Sequence, residues 1–150
     1  MDHVAIMRKS WGLLPKILSG EKTIESRWYR SRRPPWNCVR PGDTVYFKNS
    51  GGPVTAKASV RRVRQFSGLT PGMVGKLLEE YGRDDGLESA DMPRFFALFK
   101  DRRYCILVFL ERAQPVEPFD VDKAGFGAMT AWLTASDVNA IKKRGFLSKR

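Results

Sequence analysis

Histidine and cysteine are nearly missing from this chain. His3 is the single histidine among 150 residues, and Cys38 and Cys105 are the two cysteines. One histidine near a flexible start builds no His-based zinc site, no Ser-His-Asp triad and no Cys-His dyad, which removes whole enzyme classes. Two cysteines, one in a loop-like stretch and one inside an apolar run, are too few for a disulfide framework and fit a reducing compartment. No apolar run approaches the roughly 20 residues that span a bilayer. Met1 to Gly20 also lacks the apolar core and small-residue cleavage site of a secretory signal. The expectation is a cytoplasmic protein without membrane association, needing neither metal nor cofactor. Acidic residues are scarce as well: 16 stand against 27 Lys and Arg, a formal charge of +11. That excess attracts polyanions, so RNA, DNA or nucleotides are the favoured partners, and no protein partner is specified.

What is present reads as an α+β chain, with strands alternating with short helices and no internal repeat. Val4 to Met7 is a first strand, followed by a helix near Ser10 to Ser19 that ends at Gly20; Pro15 requires a late start or an irregular first turn. Thr23 to Tyr29 is a second strand and Ser31 to Pro41 a proline-marked loop. Asp43 to Lys48 forms a hairpin with a strand from Val54, across the turn Asn49 to Pro53. That partner alternates, with Val54, Ala56, Ala58 and Val60 inward, and its phase slips after Arg61 as at a β-bulge. Thr70-Pro71 caps a helix to about Tyr81 whose buried stripe is Met73, Val74, Leu77 and Leu78. Asp91 caps another helix, through Phe95, Phe96, Leu98 and Phe99. Tyr104 to Leu110 has the continuous apolar character of a strand buried on both faces. Gln114 to Gly127 reads as loop, Trp132 as a strand residue closing the sheet, and Ser136 as the cap of a last helix. A basic tail from about residue 142 carries Lys142, Lys143, Arg144, Lys149 and Arg150.

The most informative stretch is Gly20-Glu21-Lys22-Thr23-Ile24-Glu25-Ser26-Arg27. On a strand, Thr23, Glu25 and Arg27 share one face, with Lys22 at its mouth. A carboxylate flanked by two cations stays ionised and orients their donors, which suits a polar or phosphate-bearing ligand. Gly20, Lys22, Glu25 and Arg27 are therefore the candidate ligand-binding residues, converging on one solvent-accessible cleft; the alternative is a plain surface ion-pair ladder. Just beyond lies a segment rich in arginine and aromatic residues and free of acid. Trp28, Tyr29, Arg30, Arg32, Arg33 and Trp36 form a candidate platform for single-stranded nucleic acid, with arginine forks on phosphates and rings stacked on bases. Lys57 and Arg61 on the neighbouring strand extend the positive track. The competing reading buries Trp28 and Trp36 in the core.

The spacing G-x-K-x-x-E-x-R behind a helix carrying Trp11 and Leu13-Leu14 resembles the signature of the ASCH domain, of the PUA-like superfamily, in its free-standing bacterial form. The turn and strand Arg40-Pro-Gly-Asp-Thr-Val-Tyr-Phe47 extend the likeness. The resemblance implies that residues 1–150 form one ASCH domain, a small mixed PUA-like β-barrel with peripheral helices and a cleft lined by the motif. It also implies a role in binding RNA or modified nucleotides, and with the arginine and aromatic segment the expected partner is single-stranded RNA or a modified nucleotide.

An enzymatic alternative follows from the same resemblance. Some ASCH proteins are metal-free amidohydrolases on N4-acetylcytidine, using the motif lysine, a threonine and a distal glutamate. Here Lys22 matches the lysine, but Glu25 stands where the threonine is expected, and Glu79 and Glu80 are the candidates for the distal carboxylate. In that reading Lys22 and Glu25 are catalytic, with Glu25 a base on water and Arg27 stabilising developing charge. An RNA nuclease would depend instead on acid-base work by Tyr46 and Lys48. A third class is a protein-interaction adaptor, which would show an exposed apolar patch rather than basic and aromatic residues together.

Overall fold

The computed structural model describes residues 1–127 and 129–143. Arg144, Lys149 and Arg150 of the basic tail lie outside the described residues. Strand β1 (Asp2–Met7) runs parallel to β3 (Thr44–Asn49), and β3 forms an antiparallel hairpin with β4 (Val54–Phe66). Strand β5 (Tyr104–Phe119) lies between β4 and β2 (Ile24–Tyr29), antiparallel to both, and β6 (Trp132–Ala135) pairs antiparallel with β1. The spatial order is β2-β5-β4-β3-β1-β6. This six-stranded sheet curls into a half-barrel, the mixed α+β architecture expected. Among the described residues three α-helices accompany it: α1 (Leu13–Ser19), α2 (Pro71–Tyr81) and α3 (Met92–Phe99). No helix among the described residues is long and apolar enough to cross a membrane.

The inward face of β4 is Val54, Ala56, Ala58 and Val60, all buried, as its alternation requires. Its register against β5 shifts between Val60 and Arg62, so the extra residue falls where the apolar phase slips. The main core lies between Ala56, Ala58 and Val60 of this face, the buried run Cys105 to Leu110, and the apolar sides of the three helices. A smaller cluster around Val4, Val54 and Leu133 takes in Tyr46 and Phe119. Helix α1 begins at Leu13, so Pro15 falls in the first turn, where its missing N–H costs no hydrogen bond.

Five expectations are corrected. The stretch from Gln114 is not loop at its start, because β5 continues to Phe119 through Pro115 and Pro118. β2 covers β5 only from Tyr104 to Phe109, so the later residues have β4 on one side and an open edge that tolerates proline. Met73 is exposed rather than part of the buried stripe of α2, which is Val74, Leu77 and Leu78. Asp91 makes no capping hydrogen bond to α3; it faces Arg94 at 3.7 Å. The last helix is a single 3-10 turn, Val138–Ile141, capped by Asp137 instead of Ser136.

The fifth correction concerns His3, which is not in a flexible start but fully buried within β1. The indole Nε1 of Trp132 donates to His3 Nδ1 at 3.1 Å, which leaves the ring proton on Nε2 to be donated to Asp43 Oδ2 at 2.8 Å. Burial outweighs the pull of Asp43 and lowers the His3 pKa. A lowered histidine pKa gives stability that is fully present above the ordinary histidine range and lost as pH falls through it. The melting temperature should therefore drop as pH is lowered through that range, and a His3→Gln variant should be less stable but lack that step; melting curves over a pH series check this.

Candidate functional site

Gly20 ends α1 in the left-handed region, at φ 85°, with its amide donating to the Ile17 carbonyl at 3.2 Å. The chain then turns back so that the Thr23 and Ile24 amides both donate to the Asp84 carbonyl, at 2.8 and 3.0 Å. Those two bonds tie the start of β2 to the turn that follows α2. In that turn Gly86 sits at φ +84°, and a Cβ there would meet the Lys22 stem at 3.2 Å. Glycine is needed twice over, for the backbone and for the close approach. The result is that Asp85 is held directly against Lys22.

From Asp85 an unbroken chain of alternating charge crosses the molecule. Lys22 Nζ lies 2.5 Å from Asp85 Oδ1 and 3.1 Å from Glu25 Oε1. Glu25 Oε2 accepts from Arg27 Nη2 at 2.7 Å and from Nε at 3.1 Å. Arg27 finally donates to the carbonyls of Ile6, in β1, and Ala131, just before β6, at 3.2 and 3.1 Å. Arg27 thus spans the seam between the two ends of the sheet. Lys22 also donates to the carbonyls of Ile24 and Asp85, at 2.6 and 2.7 Å, so its three protons are fully committed.

The charges set one another. Burial alone would neutralise Lys22, but Asp85 and Glu25 outweigh it and raise its pKa. Burial pushes Glu25 up, yet Lys22 and Arg27 prevail and lower it, so it stays ionised. Asp85 is raised, by burial first and with Glu25 adding to it against the pull of Lys22. Ser26 Oγ accepts from Trp28 Nε1 at 3.0 Å and donates to Asp85 Oδ2 at 2.5 Å.

Beside this chain opens a cavity of about 300 Å³. Glu25, Ser26, Arg27 and Asp85 contribute its polar lining, while Trp11, Trp28, Phe95 and Phe99 contribute aromatic surface. Trp28 stacks on Phe99 with centroids 5.0 Å apart and planes 8° from parallel, and Trp11 meets Phe95 edge-on at 5.2 Å. Arg8, Arg33 and Arg102 add positive charge to the lining. Arg8 lies over Trp11 at 5.1 Å and Arg33 over Tyr29 at 5.3 Å. Among the described residues no group of three or more His, Cys, Asp or Glu side chains is placed to hold a metal ion.

Of the residues singled out from sequence, Glu25, Arg27, Trp28, Tyr29 and Arg33 line the cavity, and Gly20, Lys22, Arg30, Arg32, Trp36, Lys57 and Arg61 do not. Lys22 is not at the mouth: only 2% of its surface is exposed, because it must lie between two carboxylates that the fold has buried. Gly20 is a helix terminator. Trp28 is 8% exposed and packed on α3, so it is a wall rather than a free stacking platform. Arg30, Arg32 and Arg33 are exposed, and Arg32 lies 5.7 Å from both the Trp36 and Tyr104 rings. Arg61 stands on the exposed run of β4, over Phe109 at 5.5 Å. Tyr46 packs with Phe119 in the smaller cluster, and neither it nor Lys48 lines the cavity. Glu79 and Glu80 are exposed, and the carboxylate that reaches Lys22 from a distant element is Asp85. Asp85, Ser26, Trp11 and the α3 phenylalanines were missed from the sequence. The turn signal Asp84-Asp85-Gly86 was there to be read, but not the 63-residue reach to Lys22.

A half-barrel sheet accompanied by helices matches the fold class expected, mixed α+β of the ASCH/PUA-like kind. Within that class the chain has the ASCH fold. It superimposes on ASCH from Zymomonas mobilis with a TM-score of 0.64 at 18% identity, over 95% of this chain and 96% of that one. A tyrosine-to-phenylalanine variant of the Z. mobilis protein gives 0.64 at 19% identity, over 93% of each chain. The N-terminal domain of Staphylothermus marinus McrB gives 0.51 at 10% identity, over 79% of this chain and 76% of that one. No protein-family model and no curated protein sequence matches the chain.

Because Glu25 is buried between two cations, Glu25→Gln should lower stability by about 3 kcal/mol, where a partly exposed carboxylate would have cost little. Glu25 contributes stability that is fully present above the ordinary carboxylate range and lost as pH falls through its lowered pKa. Lys22 contributes stability that is fully present below the ordinary lysine range and lost as pH rises through its raised pKa. Denaturant melts across pH should show both limbs in the parent and a weakened acid limb in Glu25→Gln. Gly86→Ala, which touches no charge, should cost about 1–3 kcal/mol through the positive φ and the crowded Lys22 stem.

Proposed function

We propose that the protein binds single-stranded RNA and seats one unstacked base, standard or modified, in the cavity beside Glu25 and Arg27. The observation that carries this reading is the composition of the cavity: aromatic walls, a polar floor whose charges cancel, and arginines that make no ion pair among the described residues. A volume of about 300 Å³ accommodates a nucleobase, with space beyond it for part of the sugar. Ring stacking contributes about 1–3 kcal/mol per base, and it suits a base that has left a single strand. Arg8, Arg33 and Arg102 would pair with flanking phosphates, and Arg30, Arg32 and Trp36 carry the strand onward over the loop between β2 and β3.

Binding is favoured over turnover by the state of Lys22. A lysine acting as general base or nucleophile must offer a neutral amine, whereas this one is buried, fully hydrogen-bonded and held protonated by two carboxylates. Its role in this reading is to fix Glu25 and Asp85 in position. The expected result in a fluorescence titration with a short unstructured RNA is affinity that falls steeply with salt. Replacing Arg30, Arg32 and Arg33 together by alanine should reduce both the affinity and the salt slope. Affinity unchanged from low to moderate salt, or fully retained in the triple variant, would overturn the proposal.

A further inference from the structure

Lys48 is a second buried lysine, away from the cavity and from the charge chain. It lies in β3, only 8% exposed, between Ile6 of β1 and Val54 of β4. Side chains directly opposite one another share a face, as do residues two apart on a strand, so Ile6, Val54 and Tyr46 surround the Lys48 stem. All three belong to the smaller apolar cluster, together with Phe119 and Val121. Among the described residues no hydrogen bond and no ion pair reaches the Lys48 amine. The buried polar atoms left without a partner are Trp36 Nε1 and Arg102 Nε, and Lys48 Nζ is not one of them. The stem is therefore buried while the amine itself meets water.

The charges around it are mostly of its own sign. Lys57 stands opposite Tyr46 on β4, Lys142 lies over the Phe119 ring at 4.5 Å, and Lys123 acts on Lys48 from the segment after β5. Asp120, from the same segment, is the carboxylate that acts on it, while Asp2 at the far end of β1 is engaged by the Val138 amide at 2.8 Å. Burial first and Lys123 next lower the Lys48 pKa, against the weaker pull of Asp120. Lys22 shows the contrast: two carboxylates face it at 2.5 and 3.1 Å and hold its proton. A lysine in apolar surroundings beside another cation gives up its proton more readily, and the neutral amine is the nucleophilic form.

We propose that Lys48 is a site of covalent acylation by acyl phosphates, the anionic mixed anhydrides of a carboxylic acid and phosphoric acid. The neutral Nζ attacks the acyl carbon, the bond from that carbon to the phosphate oxygen breaks, and phosphate leaves with the electron pair. Nζ then loses a proton to water, and the product is a neutral amide; nothing is oxidised or reduced. Lys57, Lys123 and Lys142 supply the positive potential that concentrates an anionic donor beside the amine. No native hydrogen bond or ion pair among the described residues is given up. The amide also removes an unmatched charge from the edge of an apolar cluster, so acylation here stabilises the fold instead of disturbing it.

The test treats the whole chain with acetyl phosphate and follows acetyl occupancy at each lysine by mass spectrometry of its peptides. Lys48 should be acetylated several-fold faster than Lys76 and Lys100, which are exposed on the helices. Its rate should level off with rising pH below the ordinary lysine range. In concentrated guanidinium chloride the surroundings are lost, and the three lysines should react alike. The melting temperature of the folded chain should rise on acetylation. Lys48→Arg keeps the positive charge and offers no amine to acylate, so the same treatment should leave that rise absent. Acetylation of Lys48 no faster than of Lys76 and Lys100, a rate that keeps climbing through the ordinary lysine range, or an equal rise in melting temperature in Lys48→Arg would each overturn the proposal.

Discussion

The buried charge chain Asp85–Lys22–Glu25–Arg27 is the interaction on which the rest of the site depends. Two anions and two cations alternate, so their sum is neutral, and each ion has an opposite charge against it within 3.1 Å. Taking any one of them out of water alone is costly; together they offset most of that cost, and the peptide carbonyls that Lys22 and Arg27 reach absorb the remaining donors. The chain also has direction across the fold. It starts in the turn after α2, runs along β2 and ends on the carbonyls of β1 and the approach to β6. A half-barrel whose end strands share no hydrogen-bond ladder is thereby held shut by a side chain.

Neutrality inside and positive charge outside divide the labour. Of the chain's formal excess of +11, a share lies with exposed arginines of the loop after β2 and of β4, most of them resting on aromatic faces rather than on carboxylates: Arg32 near Trp36 and Tyr104, Arg33 on Tyr29, Arg61 and Arg62 on Phe109. Guanidinium groups placed on rings are preorganised and remain free to pair with phosphate. The interior network, in contrast, is neutral in sum and has almost no net field to offer.

The same economy governs the aromatic residues. Trp11, Trp28, Phe95 and Phe99 come from three separate segments and meet in one aromatic cluster, stacked and edge-on, so the wall of the cavity is also the packing that docks α3 on the sheet. Gly82 shows how close that docking is, since a Cβ there would overlap Met92 at the start of α3. A shift of α3 would change cavity shape and core packing at once.

The local elements were legible in the amino-acid sequence because their causes are local. Alternation marked β4 and its bulge, Thr70-Pro71 marked the start of α2, the apolar run marked β5, and the Gly20-to-Arg27 spacing marked β2 with Glu25 and Arg27 on one face. Tertiary structure decided what depends on distant partners. Lys22 is buried rather than at a mouth because Asp85, 63 residues away, is brought to it by two backbone bonds and a positive-φ glycine. His3 is a core residue because Asp43 and Trp132 close over it, and Pro115 and Pro118 are tolerated in a strand because β2 stops short of them. Periodicity and capping report what a segment does to itself, and burial of a charge is set by what the fold carries to the other side of it.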